Sequence, residues 1–319
     1  MGNKIVFLDS HTSNPHKDLS WGDFQKLGTF TAYENLNQEA EILSVARDAE
    51  ILIGNKVAFT DQLINQLPSL KLICVAATGY NNVDLEACKS RGIQVCNVSG
   101  YSTPGVVHQV FALIFGLINR VESYSTEVKQ GDWAGQEYFS YQHKPWNELQ
   151  GKIFGIFGFG TIGQAVAKVA LAFGMEVIAT KRSSITMAGV KLVSSEELFE
   201  KSDILSLHAS LNSETEGIIN KKSLAQMKPS AILINTARGG LIHEEDLAEA
   251  LSNNLISGAG LDVLLHEPPA KDHEFYGLAN CLITPHQAWS SLESRQRLLD
   301  GIVSNIKSFR EGELTNRLV

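Results

Sequence analysis

The chain is short of cysteine, of positive charge and of long apolar runs. Its 319 residues include four cysteines, Cys74, Cys88, Cys96 and Cys281, and no two are spaced as CxxC. A disulfide framework or a thiolate zinc site is not expected, and the thiols read as reduced. Lys and Arg total 27 against 35 Asp and Glu, a net charge of −8. That balance disfavours a nucleic-acid face or an anionic-membrane face. The longest apolar run covers 110–118, well short of the ~20 residues a membrane span needs. MGNKIVFLDS holds only four apolar residues in a row, too few for a signal-peptide core. Gly2 begins no myristoylation signal, because Val6 stands where Ser or Thr is required. Asn97-Val98-Ser99 is a glycosylation sequon by pattern only. Neither an internal repeat nor a low-complexity tract interrupts the chain. A soluble cytoplasmic protein without nucleic-acid or membrane partners is expected.

What the chain has is an ordinary apolar share, 44%, enough for a sizeable core. At about 150 residues per domain, its length suggests two domains. Ile5-Val6-Phe7-Leu8, Ile51-Leu52-Ile53, Leu72-Ile73-Cys74-Val75 and Gln94-Val95-Cys96 are short apolar runs bounded by turn residues. Helical patterns lie between them, as at 61–67, where Asp61 after Thr60 reads as the cap. A second series places strands at 153–157, 177–180, 204–207, 231–235 and 283–284. Strand-helix alternation implies βαβ units and parallel sheets. Ser194 with Glu197 fits a capping box. The helix at 103–118 is apolar almost all round, which predicts burial on both sides, one of them against a second subunit. Residues 138–152 read as a loop.

Gly158-Phe159-Gly160-Thr161-Ile162-Gly163 follows the run Ile153–Phe157 and opens a helical stretch. GxGxxG alone is a weak signal, but strand before and helix after are the context a dinucleotide site needs. Glycines allow the tight turn and the close approach of backbone to a pyrophosphate seated on helix amides. An NAD site expects an acid at the carboxyl end of the next strand. Glu176 lies at that strand's beginning, and Lys181, Arg182 and Ser183 stand at its end. Two cations there suit a ribose 2′-phosphate, so NADP(H) is favoured within NAD(P)(H). The competing reading makes Lys181 and Arg182 solvated surface charges.

Asn235-Thr236-Ala237-Arg238-Gly239-Gly240 ends an apolar strand in a small-residue loop bearing one guanidinium. Ligands bind beyond the carboxyl ends of such strands, and Arg suits a carboxylate or a polarised carbonyl. Further on come Gly258-Ala259-Gly260-Leu261-Asp262-Val263, His266-Glu267-Pro268-Pro269 and Thr284-Pro285-His286-Gln287-Ala288-Trp289. Earlier stand Ala77-Thr78-Gly79-Tyr80-Asn81-Asn82-Val83-Asp84, Tyr101-Ser102-Thr103-Pro104 and, between the two loops, Met227-Lys228-Pro229. In this order and spacing the motifs are highly specific. Over essentially its whole length the chain resembles the D-isomer-specific 2-hydroxyacid dehydrogenase family, nearest its glycerate dehydrogenase/hydroxypyruvate reductase branch.

The resemblance implies an α/β architecture of two parallel-sheet domains. A Rossmann-type NAD(P)-binding domain, 98–287, would be inserted into a flavodoxin-like substrate-binding domain made of 1–97 and 288–319. It implies that Arg238 binds and polarises a 2-oxo acid and that His286 is the general acid in reduction. Glu267 would hold the imidazole and favour its charged form. On the cofactor side it places Gly158, Gly160, Thr161, Ile162, Gly163, His208, Thr236, Ala237 and Asp262, with Lys181 and Arg182 at the ribose. On the substrate side it places Asn55 with Lys56, the backbone of Ala77, Thr78 and Gly79, and Trp289. No metal is implied, a homodimer is expected, and the expected reaction is reduction of hydroxypyruvate or glyoxylate.

Two departures stand out. Family members often carry Glu-His or Gln-His where this chain has His108-Gln109, and Lys181-Arg182 replaces the acid of NAD sites. Formate dehydrogenase is disfavoured because that branch has Gln where Glu267 stands. A long phosphoglycerate dehydrogenase is disfavoured because no regulatory domain follows Val319. A dinucleotide-sensing corepressor scaffold, or a dehydrogenase for another D-2-hydroxy acid, is the alternative.

Overall fold

A computed structural model describes residues 4–142, 145–180 and 186–319. The first elements are β1 (Lys4–Phe7), α1 (Gly22–Gln25), β2 (Thr29–Ala32), α2 (Glu39–Ala46), β3 (Ile51–Gly54) and α3 (Asp61–Asn65). β4 (Leu72–Val75), α4 (Leu85–Ser90), β5 (Gln94–Cys96), α5 (Thr103–Asn119), α6 (Val121–Gln130), β6 (Ile153–Phe157) and α7 (Thr161–Ala172) follow. Next are β7 (Glu176–Thr180), β8 (Val190–Leu192), α8 (Ser195–Lys201), β9 (Ile204–Leu207), α9 (Lys221–Leu224) and β10 (Ile232–Asn235). The last are α10 (Glu244–Ser252), β11 (Gly258–Leu261), β12 (Cys281–Ile283) and α11 (Leu292–Arg310).

Two compact units result. Met1–Ser102 with Ser290–Val319 form the first, and Thr103–Trp289 the second. The sequence expectation put these borders at 97/98 and 287/288.

In the first unit five strands form a parallel sheet of order β2-β1-β3-β4-β5. That is the flavodoxin-like order, with its switch point between β1 and β3. Ile51, Leu52, Ile53, Leu72, Ile73, Cys74 and Val75 are fully buried, as strands covered on both faces must be. β2 was missing from the sequence reading. Its Thr-Phe-Thr-Ala run lies at the sheet edge and is only partly covered, so it lacks the apolar signature. At α3 the cap is Thr60, whose Oγ1 accepts the Leu63 N–H at 3.2 Å. Asp61 is instead the first helical residue, because a cap's oxygen must stand outside the first turn to reach its third N–H.

The second unit is a seven-stranded parallel sheet of order β12-β11-β10-β9-β6-β7-β8. Counted from β6, this is the doubly wound Rossmann order extended by one strand. One apolar core, around Leu205, Leu233 and Leu247, covers one face. Another, around Phe154, Ile156 and Val166 with the inner side of α5, covers the other. β8 escaped the sequence reading because its Val-Lys-Leu run is an exposed edge. β11 escaped because it is Gly-Ala-Gly-Leu. A Cβ on Gly260 would stand 2.9 Å from both Ile234 and Leu113, the latter on α5. Glycine lets that helix sit close to the sheet. The last strand is Cys281–Ile283 rather than 283–284; the Thr284 N–H donates its final ladder bond, to Leu261 O.

α5 bears out the expected burial on the side that faces its own domain. Val106, Val110, Phe111, Leu113 and Ile114 are buried, whereas Pro104, His108 and Ala112 on the opposite face are exposed. The outer face is apolar mostly through small residues, which composition alone does not separate from a core face. The expected capping box at α8 is half formed. Ser194 accepts the Glu197 N–H, but Glu197 pairs with Lys191 and Lys201.

One ion pair ties the first unit's terminal helix to its early loop. The enclosed Arg295 donates from both terminal nitrogens to Asp18, each at 2.7 Å. This pairing holds the Asp18 carboxyl at about 2, below its ordinary 3.8. Folding therefore favours the charged form, so the contribution is complete above the ordinary value and disappears as pH falls toward about 2. Asp18→Asn should lower stability at neutral pH and flatten the loss of stability between about pH 4 and pH 2. Urea titrations across that range measure both, and an acid limb identical to wild type would refute the coupling.

Candidate active site

The glycine loop closes the carboxyl end of β6, beside the switch point between β6 and β9. Gly158 has φ +100°, a left-handed backbone that favours glycine. A Cβ there would stand 2.5 Å from Ala209 N, so the chain leaving β9 could not pass. Gly163 allows α7 to seat on the loop, since its Cβ would meet Gly158 O at 2.4 Å. Gly160 is different: a Cβ there would touch nothing among the described residues. No side chain caps α7, and no acid stands in its first turn. Open space, uncapped amides of Thr161, Ile162 and Gly163, and the helix dipole make an anion seat.

Other residues fit a dinucleotide. Thr236 Oγ1, beyond β10, is buried without a hydrogen-bond partner among the described residues, a cost that a ligand's polar group would remove. Asn235 shapes this loop, its Nδ2 donating to Arg238 O and its Oδ1 accepting the Ala237 N–H. His208 follows β9; its N–H donates to Phe157 O at 2.7 Å and its Nε2 lies 2.9 Å from Ser206 Oγ. Burial holds this imidazole neutral, at about 3. Glu176 begins β7, so no carboxylate stands at that strand's end. Lys181 and Arg182, on which the NADP(H) expectation rests, lie outside the described residues.

Three neighbouring strands bring the catalytic candidates together. Arg238 follows β10, Glu267 follows β11 and His286 follows β12, all at carboxyl ends. Gly239 brings the first two loops into contact: a Cβ there would lie 2.0 Å from the Leu264 carbonyl carbon. Arg238 is exposed, and among the described residues no carboxylate pairs with it. Its Nη1 donates to Ala237 O at 2.6 Å. Glu267 Oε1 accepts the Leu264 N–H at 3.0 Å, and its Oε2 lies 2.6 Å from His286 Nδ1. With Nδ1 so engaged, Nε2 is the nitrogen left for proton exchange.

His286 has φ +51°. Asp262, 1% exposed, secures that conformation. Its main-chain carbonyl accepts the His286 N–H at 2.8 Å. Its carboxylate accepts Thr284 Oγ1–H at 2.6 Å, Gln287 N–H at 3.0 Å and Ala288 N–H at 2.9 Å. Both Asp262 oxygens are thus engaged within the chain. Trp289, half-buried, comes directly after this brace.

In the first unit Asn55 follows β3 and Ala77, Thr78 and Gly79 follow β4. Asp9, beyond β1, accepts the Asn55 N–H at 2.8 Å and the Lys56 N–H at 2.6 Å. Asn82 Nδ2 donates to Asn55 O and Val57 O. This anchoring of the Asn55 loop escaped the sequence reading, because Asp9 and Asn55 meet only at the β1/β3 switch point. Thr78 is held by its hydroxyl to Val98 O and by its carbonyl to Asn97 Nδ2.

Comparison with known proteins agrees with this layout. Residues 111–288 match the D-isomer specific 2-hydroxyacid dehydrogenase, NAD binding domain. The chain is 38% identical over 318 residues to a hydroxypyruvate reductase of Blautia hydrogenotrophica, covering 98% of each. It is 39% identical over 319 residues to a glycerate dehydrogenase of Methylorubrum extorquens, covering 99% of each. Among solved structures, an acyclic imino acid reductase in complex with NADPH and D-Arg is similar at TM-score 0.88 and 33% identity, covering 99% of this chain and 100% of that one.

Because none of the described residues fills the space beside Gly160, Gly160→Ala separates folding from ligand binding. The variant should melt with wild type yet bind NAD(P)H roughly tenfold or more weakly, a loss of ~1.4 kcal/mol. Cofactor fluorescence titration measures it. Unchanged affinity would mean that no ligand backs onto that glycine.

Proposed function

The chain belongs to the D-isomer-specific 2-hydroxyacid dehydrogenase family, and on that premise we propose that it reduces a small 2-oxo acid, hydroxypyruvate or glyoxylate, to the 2-hydroxy acid. The observation that carries this reading is the 2.6 Å contact of His286 Nδ1 with Glu267, one strand from an Arg238 that lacks a carboxylate partner among the described residues.

A nicotinamide dinucleotide bound at the glycine loop supplies the hydride. The guanidinium of Arg238 offers paired N–H donors to the substrate's carboxylate and draws electron density from its 2-oxo group. As the carbonyl oxygen gains negative charge, it needs a proton from a group already in place. His286 delivers it from Nε2. Glu267 keeps Nδ1 protonated and compensates the imidazolium's positive charge, so the ring can hold two protons before transfer. In oxidation the neutral imidazole takes the proton back. Asp262 keeps the ring in station through the turn.

Two finer features belong to the proposal. NADPH is the preferred reductant, supported by Lys181 and Arg182 in sequence and by the absence of a carboxylate at the end of β7. The protein is a homodimer through α5 and the segment after it. α6 buries none of its residues, and Trp133, Tyr138, Phe139 and Trp146 are exposed, Phe139 by 91%. Apolar surface on that scale calls for a partner. A monomeric mass at micromolar concentration would refute the dimer.

Initial rates with hydroxypyruvate, glyoxylate and a 2-imino acid, each with NADH and NADPH, test the substrate and the cofactor together. Tenfold preference for NADH would overturn the role of Lys181 and Arg182. His286→Ala should lower turnover about 10²–10⁴-fold while leaving NAD(P)H affinity unchanged. Glu267→Gln keeps the shape but removes the carboxylate that meets His286 Nδ1, so turnover should fall about tenfold or more while NAD(P)H affinity stays unchanged. Wild-type turnover in a folded variant would show that the two side chains do not act together.

A further inference from the structure

One element outside the catalytic loops reaches into them. Gln109 on α5 donates from Nε2 to Thr284 Oγ1 at 3.0 Å, across 175 residues of sequence. Thr284 passes its own hydroxyl hydrogen to Asp262 Oδ1 at 2.6 Å. The same carboxylate holds the Gln287 and Ala288 amides immediately after His286. We propose that Gln109 is a positioning residue for the proton donor, acting through Thr284 and Asp262 on the turn that carries His286. The proposal rests on the reading of His286 as the general acid.

The polarity of this relay has only one solution. Ionised Asp262 can only accept, so the single hydrogen of the Thr284 hydroxyl must point toward it. The Thr284 oxygen then has a lone pair for a donor, and the amide N–H₂ of Gln109 supplies one. With the amide turned round, Gln109 Oε1 would compete for the same hydrogen and leave two oxygens facing each other at 2.6 Å. An unanchored Thr284 hydroxyl could rotate away from Asp262. The carboxylate would then lose one of its three side-chain and main-chain donors while remaining buried.

Geometry makes α5 a firm anchor for such a bond. The helix packs on β10, β11 and β12. A Cβ on Gly116 would lie 2.7 Å from Leu282 Cδ1, so the helix lies close against β12, two residues before Thr284. His286 at φ +51° is a conformation that relaxes unless its surroundings enforce it. The amide of Gln109 donates to Thr284 without carrying a charge that changes with pH.

Gln109→Leu keeps the volume and removes the donor. The variant should reduce the 2-oxo acid with kcat lowered about tenfold, while KM for NAD(P)H stays within twofold. Gln109→His restores a donor and should recover most of the loss. Thr284→Val cuts the next link and should give the same defect, with the double variant no worse than either single one. If Gln109→Leu does not fold, Thr284→Val against Thr284→Ser, which keeps the hydroxyl, carries the test. The ¹H–¹⁵N signal of the His286 imidazole, read without substrate, should move in Gln109→Leu and return in Gln109→His. That readout holds even if wild type turns over no 2-oxo acid, an outcome that would overturn the proposed reaction alone. A wild-type imidazole signal together with wild-type kcat in Gln109→Leu would reduce Gln109 to a packing residue and overturn the proposal.

Discussion

Asp262 places a carboxylate where almost none of the residue reaches water, and burial raises its pKa above the ordinary carboxylate value. A buried charge of this kind is costly unless hydrogen bonds replace its hydration. Here every replacement is also a tether. Thr284, Gln287 and Ala288 enclose His286 in sequence, and all three bind the same two oxygens. The turn cannot relax without exposing an unsatisfied carboxylate. Electrostatic cost is thereby converted into positional accuracy for an imidazole, which the proposed proton transfer requires to within fractions of an ångström.

The sheet supplies the rest of the arrangement. In a parallel sheet every strand delivers its carboxyl end to one edge, so loops distant in sequence become neighbours. Arg238, Glu267 and His286 occupy three consecutive strand ends for that reason. Glycine then sets how closely the loops approach. Gly239 against Leu264 joins the arginine loop to the glutamate segment, and Gly158 against Ala209 joins the phosphate loop to the chain beyond β9.

Much of this was legible in sequence where burial and periodicity coincide. β3, β4, β6, β9 and β10 are apolar because both faces are covered, and each stood out as a run. Edge strands β2 and β8 carry Thr and Lys toward solvent and did not. β11 was hidden by glycines whose purpose lies in a partner helix. α5 was found with its length nearly right and its inner face buried as the apolar pattern required. The meeting of Arg238, Glu267 and His286 at neighbouring strand ends was legible in motif order. The support beneath them was not: Gln109 and Thr284 are 175 positions apart, and Asp9 reaches Asn55 across 46. Local spacing carries no trace of a bond closed by topology.

The left-handed backbone of His286 has a consequence for how this site tolerates change. Glycine and asparagine occupy that region of φ with less strain than histidine. At this position the residue best suited to the backbone has no imidazole, and the residue that the proposed proton transfer requires is a poorer fit. Selection for thermal robustness alone would therefore erode the site from within, trading turnover for a more relaxed turn. Residue 286 is where stability and activity draw on opposite preferences.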